Sequence, residues 1–167
     1  MFTSSILFAV PLMVILTVLQ TSVLPYFPLF GVTPSLPFIM ALAWGLIRGA
    51  NEGIIWAFIA GFFMDLFTAA PTGGFALTYM IAVLAAFVVK DRLPANRTVV
   101  PMLLAGLASI LQQLLYALYL GLFGYGVGQV LASSLLPTIL LQTFLILPIY
   151  WLLYLVQSIV WPKPVEV

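Results

Sequence analysis

Chemistry in this chain, if it exists, has to begin at Asp65. It is the one ionisable residue inside a long apolar stretch, Gly53-Ile54-Ile55-Trp56-Ala57-Phe58-Ile59-Ala60-Gly61-Phe62-Phe63-Met64-Asp65-Leu66-Phe67. A carboxyl group there could transfer protons, hold a metal ion, or accept hydrogen bonds. The first two uses need companions: a second titratable group poised near neutral pH, or several His, Cys, Asp or Glu ligands converging on one point. The sequence has no His and no Cys, and its four acidic residues are scattered along it. Paired carboxylates, a Ser or Cys nucleophile with a base, and a metal cluster are all missing, so neither enzymatic activity nor a metal nor a cofactor is expected. Gly73-Gly74, after Pro71-Thr72, reads as a turn and not as a phosphate cradle, since no basic residue neighbours it. Five Lys and Arg in separate places, with a formal net charge of +1, make no basic surface for nucleic acid.

Hydrogen-bond acceptance remains. Asp65 lies thirteen residues beyond Glu52, roughly 20 Å along a helix and some two-thirds of the way across a ~30 Å hydrocarbon layer. An Asp at mid-helix costs about 2.5 to 3.5 kcal/mol there, less towards an interface, so it faces the bundle interior and finds a partner. Gly53, Ala57, Gly61 and Asp65 recur every fourth residue, a series that drifts only about 40° per step around a helix. That gives a small-residue ridge for close packing, with the acid at its far end. No Lys or Arg lies at this depth, which excludes a buried ion pair. Asp65 is then hydrogen-bonded as a carboxylate, protonated, or exposed to a watery outer cavity. The expected partners are Thr78 and Tyr79, Ser109, Gln112, Gln113 and Tyr116, and Thr138 and Gln142; glutamines in such helices commonly bond to one another. The ridge, Gly73, Gly74, Gln112, Gln113, Tyr116 and Gln142 are therefore the candidate packing or partner-binding residues.

The elements that position these groups follow from hydropathy. Of 167 residues, 65% are hydrophobic and only 5% charged, against about a quarter charged in a soluble domain. This is the composition of a polytopic all-α membrane protein, a single membrane domain with length for six spans of about 20 residues. The expected spans are 5–24, kinked at Pro11 and closed by Pro25 and Pro28; 34–47, led by Pro34 and Pro37; 52–69; 74–89; 99–122; and 136–159, kinked at Pro148. The amino-terminal run reads as a retained span and not a signal peptide. Residues 34–47 are short for a crossing, so that span is thin, little tilted, or buried among other helices. Arg48 and Glu52, four apart, would pair weakly if the break between them stays helical. Residues 121–128 are a glycine-rich connection, and Pro137 divides a short interfacial helix at 129–135 from the sixth span. With the termini cytoplasmic, Arg48, Lys90, Arg92, Arg97 and Lys163 all fall inside. Trp44, Trp56 and Trp161 also lie near inner ends. A five-span topology would instead put Lys163 outside.

The layout, the proline-led Pro34-Ser35-Leu36, and above all Gly61-Phe62-Phe63-Met64-Asp65-Leu66 followed by Gly73 or Gly74 and Phe75-Ala76-Leu77 resemble the MreD family of the bacterial rod-shape system. The double glycine leaves open which one fills the family's single glycine position. The resemblance implies a multi-pass protein of the bacterial cytoplasmic membrane that scaffolds the elongation complex. It implies direct binding to MreC, a bitopic protein with a periplasmic coiled coil, and assembly with RodA, a penicillin-binding transpeptidase and MreB in lateral peptidoglycan synthesis. It also implies a fold similar to the six-helix S subunits of energy-coupling-factor transporters, and a vitamin-binding S subunit is the alternative function. Against that alternative, Phe8-Ala9-Val10-Pro11-Leu12-Met13 lacks a small-xxx-small face, and the outer turns lack charge to grip a vitamin. The expected partner surface is the outer half of spans three and four with the connection at 121–128.

Overall fold

The structure, a computed structural model, describes residues 2–28, 31–69, 72–93, 98–125 and 128–160. Six α-helices follow one another: α1 (Phe2–Val18), α2 (Leu36–Arg48), α3 (Ala50–Phe67), α4 (Gly74–Lys90), α5 (Val99–Leu122) and α6 (Gly128–Val160). Among the described residues there is no strand. Among the described residues four segments are long and apolar enough to cross a membrane: Leu7–Tyr26, Ala50–Phe67, Val99–Leu122 and Leu135–Ser158. The helices α2 and α4 are apolar but shorter.

Helix α1 does not end cleanly. It loosens into a π-helical turn, Leu19–Val23, and then tightens into a 3₁₀ turn, Leu24–Tyr26, that contains Pro25. A proline lacks the N–H that would continue the ladder, so the helix changes pitch before it. One result is that Gln20 points inward and is buried.

The short helix α2 is the centre of the molecule. Every residue from Pro37 to Gly45 is buried, the pattern of a helix with neighbours on all sides. It touches α1, α3, α4, α5 and α6. Its length therefore follows from burial among other helices, one of the three explanations that the sequence left open. Gly49 then breaks the chain at φ 113°, and α3 returns beside α2 so closely that a Cβ on Gly45 would stand 2.7 Å from the Gly53 Cα. The break is thus not helical, yet Arg48 Nε still lies 3.3 Å from Glu52 Oε1. Glu52 also accepts a hydrogen bond from Trp44 Nε1 at 3.0 Å, and Trp44 stacks on Trp56 with centroids 4.5 Å apart.

Beyond α2 the helices pack in sequence, α3 on α4, α4 on α5 and α5 on α6, and α6 closes back onto α2. One expectation fails here. The backbone of α6 is helical without interruption from Gly128 through Pro137 and Pro148 to Val160, so no division separates 129–135 from the rest. A proline removes one rung of the ladder, and in an apolar bundle the turns on either side carry the helix past it. The expected charged residues of 94–97 and 161–167, and Gly126 and Val127 of the glycine-rich connection, lie outside the described residues.

Candidate functional site

The site is the junction of α3 and α4. The two helices are antiparallel, and the chain turns between them through Gly73, whose φ of 99° is left-handed and suits glycine. A helix start leaves its first N–H groups without intrahelical acceptors. A Ser, Asp or Asn before the helix would normally supply one, but the residue in that position is Gly73. The acceptor comes instead from the last turn of α3. Asp65 Oδ1 accepts from the Phe75 N–H and Oδ2 from the Ala76 N–H, both at 3.0 Å. The carboxylate is 6% exposed and lies against the positive end of the α4 dipole, the place where backbone N–H groups receive an anion.

This contact requires α4 to come very close to α3, and Gly61, one turn before Asp65, makes it possible. A Cβ at Gly61 would stand 2.4 Å from the Ala76 Cα and 2.6 Å from its nitrogen. The ridge read from the sequence is buried along its whole length, Gly53 against Gly45 and Phe87, Ala57 in the core, Gly61 against α4 and Asp65 on its N-terminus. Both glycines of the pair are needed, for different reasons. Gly73 makes the turn, and a Cβ on Gly74 would stand 2.6 Å from Tyr119 Cε1.

Aromatic rings from α5 close the junction. Tyr116 stacks on Phe75 with centroids 4.2 Å apart, and Tyr119 OH donates to the Thr72 carbonyl at 3.1 Å. Helix α2 begins beside it. Tyr79 OH and Ser35 Oγ share a 2.5 Å hydrogen bond, and the Leu36 N–H donates to Gln20 Oε1 at 3.0 Å. Between α3 and α4 the surface opens into a groove of about 320 Å³ lined by Phe58, Phe62, Asp65, Leu77 and Met80 among others.

The hydrogen-bond partners expected for Asp65 were side chains of other helices, and the structure corrects this: its partners are backbone N–H groups of α4. Thr78 Oγ1 donates to its own helix, at the Gly74 carbonyl. Among the described residues no two glutamines pair with one another. Gln142 is hydrogen-bonded to Ser109 across α5 and α6, while Gln113 Nε2 is buried with no acceptor among the described residues. Gln112 is buried. Sequence reasoning missed Gln20 and Gly45. The nearest signals were three polar residues, Thr17, Gln20 and Thr21, near the end of the first span, and the placement of Gly45 and Gly53 equally far from Gly49. Among the described residues no cluster of metal-ligating side chains is present.

A comparison with curated proteins finds no match, and neither does a comparison with solved structures. A family model, that of the rod shape-determining protein MreD, matches residues 2–159, nearly the whole chain and all of the junction just described. The chain therefore belongs to the MreD family, whose members are rod shape-determining membrane proteins.

Proposed function

We propose that the protein is a non-enzymatic scaffold subunit of the elongation complex in the bacterial cytoplasmic membrane. It crosses the membrane six times with both termini in the cytoplasm, binds MreC directly, and through it joins RodA, a penicillin-binding transpeptidase and MreB in lateral peptidoglycan synthesis. One observation carries this reading: the family model runs over residues 2–159. The geometry agrees with it, because both oxygens of the single intramembrane acid are engaged with the α4 backbone in joining helices.

The surface offered to MreC is the outer end of the bundle, at the α3–α4 turn and the end of α5. Tyr26, Phe27, Phe67, Phe123 and Tyr125 are all at least half exposed there, and uncharged aromatic groups of this kind dominate partner interfaces. Co-expression with the MreC of the same organism, followed by affinity capture and size-exclusion chromatography, tests the reading. Co-elution at a fixed ratio is expected, and separate elution in both detergent and lipid nanodiscs would overturn it.

A further inference from the structure

Two sides of this bundle have different heights. The apolar segment of α3, Ala50–Phe67, extends about 26 Å and the uncharged run of α4, Phe75–Val89, about 21 Å, at about 1.5 Å per residue. The apolar segments Val99–Leu122 and Leu135–Ser158 each extend about 35 Å. A hydrocarbon layer is about 30 Å thick, and a helix that is too long can tilt, whereas one that is too short cannot stretch.

The short side is also fixed at both ends. At one end Glu52 holds Trp44 and Arg48, and Lys90 Nζ reaches the Leu46 carbonyl at 3.3 Å. At the other, Asp65 satisfies the first N–H groups of α4 from inside the protein, so this helix start needs no water above it. Behind α3 and α4 stands α2, which has only 13 residues. The outward stripe of this side, Phe62 and Leu66 with Leu77, Ile81, Leu84 and Val88, is apolar and 46–59% exposed.

We infer that the α3–α4 face is a surface for a locally thinned bilayer. Lipid acyl chains against it are compressed towards about 21 to 26 Å, the apolar lengths of its helices, while those along α5 and α6 keep the thickness of the surrounding membrane. The protein is then a wedge in membrane thickness. The inference rests on its being a multi-pass membrane protein, and its test involves no MreC, so the two readings fail separately.

The chain has no cysteine, so single nitroxide labels can be attached cleanly. The full chain carrying Leu77→Cys, Val88→Cys or Leu107→Cys is reconstituted in dimyristoleoyl, dioleoyl and dierucoyl phosphatidylcholine. Label depth is then read from collisions with oxygen and with a water-soluble nickel chelate. Labels at 77 and 88, near opposite ends of α4, are expected to stay shallow in all three lipids, while the label at 107 on α5 sinks as the bilayer thickens. Deepening of 77 and 88 with lipid length would overturn the inference. So would one shallow and one deep label, which means that the chain slides, or dipolar broadening at both, which means that a second copy covers the face. If Leu77→Cys fails to insert, Leu66→Cys, at the same end of α3 and 59% exposed, gives the same readout.

Discussion

Two helices begin at the same end of this bundle, and each takes a hydrogen-bond acceptor from another helix, but the acceptors differ. Helix α2 receives one neutral oxygen, from Gln20; helix α4 receives both oxygens of an acid, from Asp65. The difference follows from the number of donors. The first turn of α2 contains Pro37, which has no N–H, and its Leu36 N–H also lies 3.1 Å from the Pro34 carbonyl. The first turn of α4 has no proline and starts after a glycine that offers no side chain. More orphan donors in an apolar setting need an acceptor with more capacity, and a carboxylate has two oxygens and no proton to place. The acid sits where it does because the backbone beside it has donors to satisfy.

The largest test of this contrast is Asp65→Leu. It strands two N–H groups, one buried and one part-buried, each costing about 1 to 3 kcal/mol, so a loss of about 2 to 6 kcal/mol is expected in denaturant unfolding from micelles, with membrane insertion preserved and co-purification with MreC weakened. Asp65→Asn keeps one oxygen and should lose about half as much; equal losses for the two would show that charge, not acceptor number, matters. Gly61→Ala comes next. Its Cβ meets backbone and not a flexible side chain, so about 1 to 3 kcal/mol is expected. A double-mutant cycle with Asp65→Asn should show coupling of at least about 0.5 kcal/mol, because both changes act on one contact. Gln20→Leu should cost about 1 kcal/mol by the same unfolding assay, since one bond is lost and the Leu36 N–H retains a second acceptor. A cost equal to that of Asp65→Leu would erase the distinction between the two helix starts. Ser109→Ala, which removes a hydroxyl bonded to Gln142 and to the Ala105 carbonyl of its own helix, should cost least, about 0.6 kcal/mol.

The ridge of α3 was legible in the sequence because spacing alone decides which residues share a helix face. The partner of Asp65 was not, because a helix N-terminus is a polar group that no residue letter marks. The length of α6 misled for a related reason. Thirty-three residues exceed one upright span, but the limit applies to lipid-facing length, not to how far a helix can continue, and Pro137 looked like a boundary only under that limit. The family motif was legible for a physical reason. Gly61, Asp65, the glycine pair, Phe75 and Ala76 are separated in the chain, yet they meet at one junction. The resemblance and the contact are the same set of residues.

The enclosure of α2 also bears on how the protein is made. Helix α6, made after the five helices before it, packs against the second. Until it arrives, one flank of a 13-residue helix too short to be held by lipid alone stays uncovered. Chains cut short before α6 should therefore be cleared by quality-control proteolysis even though their first five helices are intact, and the bundle acquires its kinetic protection only once α6 has packed.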